Sequence, residues 1–299
     1  MNKIKVNFSI KDLEHLTKIK AHTIRIWEKR YNLLTPDRTE TNIRGYSLDD
    51  FKKLLNIAYL NKNGLKISKI ATLTSEEISA KVRELASRTS VESHATNALK
   101  VAMFNFDQAT FYNTYNRLIE QKTFDEIFHT VFLPLLEDIG MLWQTNTITP
   151  AHEHFISVHI KQKILLNIER LQILEPQPDA KTFILFLPDH EIHDIGLLFI
   201  HYKLRSKGYH SIFLGESVPM DSLKDLLQFF NPLTFVSYFT VFPKEDNVLD
   251  YINAFYDLLL KNKEACLCLL GKQLSNVDLD AIPKNITVFD SIESLTKTF

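Results

Sequence analysis

Three groups of residues in this 299-residue chain have types and spacings that suit chemistry or recognition. The first is Glu191-Ile192-His193-Asp194-Ile195-Gly196. An imidazole there can bind a metal or carry a proton, and the acidic residue two places earlier can hold its tautomer. The glycine lets a bulky flat ligand come close to the backbone. The second group is Trp143 followed, after nine residues, by Glu153-His154. A tryptophan on a helix is core by default and a lone histidine is surface, so this group gains meaning only from context. The third is His22-Thr23-Ile24-Arg25-Ile26-Trp27-Glu28-Lys29-Arg30-Tyr31, a short segment rich in cations. Four histidines, His152, His154, His190 and His193, also raise the question of zinc. His152 and His154 are two apart on a helix, so they diverge and cannot share one ion.

The elements that must position these groups can be read from periodicity. Apolar runs predict strands at residues 182–187, 210–214, 234–239, 266–270 and 286–289. Helical patterns lie between them at 193–207, 220–230, 246–261 and, more weakly, 274–282, with a last one at 292–297. That alternation predicts a parallel, doubly wound α/β domain of flavodoxin-like type, covered on both faces. His193, Gly215, Ser237 and Gly271 each follow or end a strand, so they share one rim, the usual binding edge. Upstream, helices are expected over 76–88, 90–104, 106–120 and 123–143, with Asp107 and Thr123 as caps and Pro134 dividing or kinking the long one. A further helix begins with Thr149 as cap and Pro150 in its first turn and runs to about residue 174. Four helices with short connections form a bundle, and Pro176 and Pro178 make a linker.

The first 75 residues read as a helix-turn-helix. Ser9 caps a helix over 10–16, a turn covers 17–20, and a second helix covers 21–31 with Ile24 and Trp27 facing the core. His22, Thr23, Arg25, Glu28 and Lys29 occupy its exposed side. After Pro36, residues 37–46 suggest a short hairpin carrying Arg38 and Arg44, arginines suited to phosphates. Ser47 caps a third helix through residue 60, and a fourth covers 67–73. The expected domains are therefore 1–75, 76–178 and 179–299.

Charge supports that division. Residues 1–75 hold 15 Lys and Arg against 7 Asp and Glu, and the remainder holds 20 against 29. A basic head on an acidic body suggests nucleic-acid binding by the head, although a solvated basic surface has the same composition. Two cysteines, Cys266 and Cys268, lie in an apolar run and suggest reduced thiols in a cytoplasm. The amino terminus lacks the apolar core of a signal peptide, and no run approaches the roughly 18 apolar residues that span a bilayer.

The head resembles the MerR family of transcriptional regulators over about residues 7–74. The carriers are the string His22 to Tyr31, then Pro36-x-Arg38, and Arg44-Gly45-Tyr46-Ser47. The resemblance implies a winged helix-turn-helix that binds double-stranded promoter DNA as a dimer. Thr23, Arg25, Trp27, Arg30, Tyr31, Arg38, Arg44 and Tyr46 would be its DNA-facing or wing-bracing residues. For Trp27 and Tyr31 plain core packing is an equal alternative. Trp143-x9-Glu153-His154 resembles the helical cap of cobalamin-dependent MerR-type photoreceptor repressors, where the tryptophan covers the upper face of the corrin and Glu and His flank the upper ligand. In the best-known light sensors of that group a histidine follows the tryptophan and captures cobalt after photolysis; here Gln144 stands there.

The α/β half resembles the cobalamin-binding domain of methionine synthase, methylmalonyl-CoA mutase and those repressors. The signature is Glu191-x-His193-x-x-Gly196, then Ser237-x-Phe239 about forty residues on, then Gly271-Lys272. Phe239 replaces the usual leucine and Lys272 the second glycine. The resemblance implies His193 as the lower cobalt ligand, Ser237 beside the nucleotide tail, and Gly271 making room for it. The expected function is a DNA-binding regulator, a repressor, controlled by adenosylcobalamin and by light, acting as a dimer or tetramer without a membrane. Two alternatives stay open: a cobalamin-independent regulator that uses the same domains for oligomerisation or protein partners, and a corrinoid methyl carrier. The basic head argues against the carrier. No nucleophile, acid–base pair or phosphate loop supports independent catalysis.

Overall fold

The computed structural model describes residues 8–38, 43–86, 91–144, 148–171 and 181–298, without the side chains of Arg83 to Ala86, Val91, Met141, Trp143 and Gln144. The linker expected at Pro176 and Pro178 and the tip of the expected hairpin lie outside the described residues.

Ser9 starts α1 (Ile10–Thr17) with a reciprocal capping box: its hydroxyl accepts from the Asp12 N–H, and the Asp12 carboxylate accepts from the Ser9 N–H. Lys18, in the left-handed region at φ 60°, ends the helix and turns the chain towards α2 (Ala21–Tyr31). β1 (Asp37–Arg38) and β2 (Arg44–Gly45) pair antiparallel, and Phe8 bridges Tyr46 beside them. Ser47 and Asp50 form the capping box of α3 (Leu48–Lys62). The fourth helix is a single turn, α4 (Ile67–Ile70).

The helices that follow are α5 (Ser75–Ala86), α6 (Val91–Asn105), α7 (Gln108–Ile119), α8 (Phe124–Ile127), α9 (Leu133–Gln144) and α10 (Pro150–Arg170). Asp107 and Thr123 cap as their positions suggest. A π-turn, Phe128–Phe132, divides α8 from α9 just ahead of Pro134. Proline cannot donate a backbone hydrogen bond, and the wider turn absorbs the break. The expected boundary at residue 75 is not a break in packing. Phe8 and Phe51 of the head meet Phe104 of α6 edge-on, with ring centroids 5.0 and 5.3 Å away. Asp138 of α9 binds both Lys18, at 2.8 Å, and the buried Lys100, at 2.5 Å. The chain forms two compact units, Met1–His159 and Ile160–Phe299, so the division falls within α10.

In the second unit five strands make a parallel sheet: β3 (Thr182–Phe186), β4 (His210–Gly215), β5 (Leu233–Tyr238), β6 (Ala265–Leu270) and β7 (Ile286–Val288). All five match the apolar runs. Their order is β4-β3-β5-β6-β7. The second strand in sequence therefore lies outside the first, and the winding reverses between β3 and β5, as in flavodoxin-like sheets. β3 is buried along its whole length, as a strand covered on both faces must be.

The crossovers are less regular than periodicity predicts. α11 (Ile195–Ser206) begins two residues late because His193 and Asp194 belong to the loop that leaves β3. Residues 220–230 form a 3-10 turn, Met220–Leu223, and one turn of α12 (Leu226–Phe229), not a continuous helix. No residue of α12 is buried, so packing supplies little to hold a longer helix together. α13 (Val248–Phe255) passes into a π-turn, Tyr256–Leu260. Residues 274–282 give only 3-10 turns, with Asp278 capping the second. The chain closes with α14 (Ile292–Thr296), capped by Ser291.

Candidate functional site

The loop that leaves β3 carries Glu191 and His193 at the point where the winding reverses. Glu191 is 0% exposed. Its Oε1 accepts from the Ile192 and His193 N–H groups at 2.8 and 2.9 Å and lies 2.6 Å from His193 Nδ1. Its Oε2 accepts from the N–H groups of Thr240, Val241 and Phe242, at 3.1, 2.6 and 2.9 Å. One carboxylate thus ties the loop after β3 to the loop after β5. Burial pushes its pKa up, but the imidazole and the donating amides of Phe242, Val241 and His193 outweigh that and hold it at about 2. An acceptor this well supplied fixes the imidazole's tautomer and plane, with Nε2 as the ligand nitrogen of such carboxylate–histidine couples.

The surroundings suit a large flat ligand. The His193 side chain is 40% exposed. Ile192, Leu214 and Val241, on the loop after β3, at the end of β4 and on the loop after β5, are 57%, 38% and 41% exposed. Large apolar side chains left in water on successive loops mark a binding edge. Among the described residues no group of three His, Cys, Asp or Glu could hold a bare metal ion. A single oriented imidazole suits a metal whose other ligands arrive with it, as in a macrocycle. The residues present therefore fit a corrin.

Other sequence-selected residues have partners of their own. The Ser237 hydroxyl is buried and donates to the Phe186 carbonyl at 2.8 Å, across the β3–β5 pair. Gly271 has φ 118°, and a Cβ there would lie 2.3 Å from the Phe239 carbonyl oxygen. The space it keeps open is thus taken by the neighbouring strand end, a requirement of the fold itself. A Cβ on Gly196 would meet the Tyr238 ring at 3.0 Å. Lys272, in the place of a second glycine, is exposed.

Two residues that sequence reasoning passed over stand close to this loop. Asp194, almost fully buried, follows His193 and lies 2.5 Å from Lys161 Nζ, which also reaches Glu216 at 3.0 Å. Burial raises the Asp194 pKa, and the Lys161 ammonium opposes that rise. Lys161 carries no local motif; its partners lie 33 and 55 positions away in the chain.

In the first unit, α9 carries Trp143, whose side chain lies outside the described residues, and α10 carries Glu153, half-buried, and His154, exposed. His152 is buried, stacked on Phe106 at 4.7 Å, with Nδ1 2.8 Å from the Thr149 hydroxyl. Burial lowers its pKa and favours the neutral ring. The two histidines diverge as their spacing requires.

The head has a hub of its own. Glu28 on α2 receives Arg44 Nε at 3.1 and 3.0 Å, the Tyr46 hydroxyl at 3.1 Å and Arg38 at 3.5 Å. Trp27 and Tyr46 are buried, so they brace the helix and do not themselves face solvent. Arg38 and Arg44, expected at phosphates, are held by Glu28 here. His22, Arg25, Ile26, Lys29 and Arg30 make the exposed face, with Thr23 half-buried beside it. Arg30 lies over the Tyr31 ring, 5.5 Å from its centroid. No described helix is long and apolar enough to cross a membrane.

Comparison with known proteins matches two stretches of the chain. Residues 8–77 match the model of the MerR HTH family regulatory proteins. Residues 95–166 match the B12 binding domain. The HTH-type transcriptional repressor CarH of Myxococcus xanthus is 28% identical over 214 residues, 70% of each chain. The HTH-type transcriptional repressor CarA of the same organism is 26% identical over 221 residues, 72% of this chain and 70% of that one. The monomethylamine corrinoid protein of Methanosarcina barkeri superposes with a TM-score of 0.58 at 14% identity, covering 69% of this chain and 97% of that one, which is a likeness of fold.

Proposed function

We propose that this chain, which joins a MerR-type helix-turn-helix to a B12 binding domain, is a transcriptional regulator whose hold on promoter DNA is controlled by cobalamin. The observation that carries the reading is the buried Glu191 carboxylate orienting His193 within a rim of exposed apolar side chains. Adenosylcobalamin is the proposed form and repression the proposed sense, because CarH and CarA are repressors.

Residues 1–75 act as a winged helix-turn-helix, with β1 and β2 as the wing. Thr23, Arg25 and Arg30 meet DNA, while Trp27, Tyr31, Arg38, Arg44 and Tyr46 brace that surface. Residues 76–178 act as a four-helix bundle, whose Trp143, Glu153 and His154 would serve the cofactor. Residues 179–299 would hold the cobalt through His193, itself held by Glu191, with Gly196, Ser237 and Gly271 shaping the rim. When bound, cobalamin supplies a cobalt that takes an imidazole ligand. Occupancy favours one self-assembled state, a dimer or tetramer, over another. Gln144 does not replace the histidine that captures cobalt in light sensors, so regulation is assigned to occupancy and not to a stable photoproduct. The protein acts in the cytoplasm.

The test selects DNA fragments with purified protein and adenosylcobalamin in the dark, then measures affinity with and without the cofactor. A coupled regulator changes affinity by about tenfold or more. Equal affinities would leave only a cobalamin-independent regulator.

A further inference from the structure

Two carboxylates face one ammonium beside the His193 loop. Asp194 directly follows His193 and opens α11, where its carbonyl accepts from the Leu198 N–H at 2.7 Å. Glu216 stands in the loop after β4. Lys161 lies between them, 2.5 Å from Asp194 Oδ2 and 3.0 Å from Glu216 Oε1. The two loops also meet through their backbones: the His190 N–H donates to the Ser217 hydroxyl, and the Ser217 N–H donates to the Glu191 carbonyl. Glu191 and Lys161 therefore do different work. Glu191 fixes the plane of the imidazole and joins its loop to the loop after β5. Lys161 joins the same loop to the one after β4, so that His193 is set from both sides.

We propose that Lys161 is a positioning residue for His193, holding the loop at the depth at which the imidazole meets cobalt. This rests on the cobalamin reading above. Without the ammonium, the buried Asp194 carboxylate faces Glu216 with no cation between them. A buried charge that loses its partner is strongly destabilising, and the least costly relief is for Asp194 to turn towards water. His193 is its covalent neighbour and moves with it. Lys161 lies on α10, the helix that also carries Glu153 and His154 in its first turns.

The experiment loads the full-length protein, labelled with 15N-histidine, with cob(II)alamin. Cobalt ligated by a labelled imidazole gives doublet hyperfine splitting, and cobalt ligated by the cofactor's own unlabelled base gives triplets. Bound cobalamin is quantified separately by absorbance after gel filtration. Wild type is expected to show doublets. Lys161→Ala is expected to hold cobalamin about tenfold more weakly and to lose the doublet from at least about half of what it binds. Lys161→Arg, which keeps the cation, is expected to restore it. A full doublet in Lys161→Ala, or a defect in Lys161→Arg as deep as in Lys161→Ala, overturns the proposal. If Lys161→Ala does not fold by circular dichroism, Glu216→Gln carries the test, with a partial loss of doublet expected and an unchanged doublet overturning the proposal. Wild-type protein that binds no cobalamin sinks the functional reading itself, and with it this inference, and that result is scored before any variant is compared.

Discussion

Two glutamates organise two regions of this molecule, and they do it differently. Glu28 in the head gathers side chains, Arg44, Arg38 and the Tyr46 hydroxyl, with water within reach of the arginines. Glu191 at the sheet rim gathers five backbone amides and one imidazole and is sealed from solvent. Side-chain partners on long stems can exchange a carboxylate for a phosphate as a helix meets DNA. Backbone amides on two loops cannot. The hub in the head is thus open to exchange, and the hub at the rim is fixed.

The largest expected effect breaks the rim hub. Glu191→Gln puts an amide, itself a donor, against N–H groups, and should cost about 3 kcal/mol in urea unfolding. The same change should weaken cobalamin binding about 10- to 100-fold. An unchanged urea midpoint would mean that the hub stores little. The acid dependence sharpens the same point. The folded pKa of Glu191 is depressed from 4.5 to about 2, so its contribution is fully present above pH 4.5 and lost as pH falls through 2. That amounts to about 3 kcal/mol, and the acid slope in that window should flatten in Glu191→Gln.

A smaller effect is expected in the head. Glu28→Gln should cost about 1 kcal/mol or less, and 1 M salt should shrink that cost, because its ion pairs are partly in water. A salt-independent loss as large as that at Glu191 would erase the contrast. Smallest in stability terms, Arg25→Ala should leave the melting temperature unchanged. It should reduce the slope of log affinity against log salt by about one, as loss of a single phosphate contact does.

How far the chain could be read without coordinates follows from where each interaction is written. β3 to β7 are continuous apolar runs, a signal that needs no partner to recognise. Ser9, Ser47, Asp107 and Thr123 cap helices through atoms three residues away, so their roles are local and visible. The 220–230 segment has helical spacing but no buried face in α12, and spacing alone does not sustain a helix. At the site, Glu191 and His193 were legible because they share a loop. The amides of Thr240 to Phe242 were not, since every non-proline residue has one and only the fold aims it. Lys161 was hidden for a similar reason, being an ordinary lysine on a helix whose partners sit on distant loops. The ring contacts of Phe8 and Phe51 with Phe104 were not legible, because they join residues far apart in the chain.

The central claim is that His193, set by Glu191, is the protein's grip on a corrin metal. A dark absorbance titration of the full-length protein with adenosylcobalamin, wild type beside His193→Ala, addresses it most directly. Saturable binding by wild type, with at least about tenfold weaker binding and a shifted spectrum in His193→Ala, is the predicted result. Indistinguishable titrations of the two proteins would contradict it.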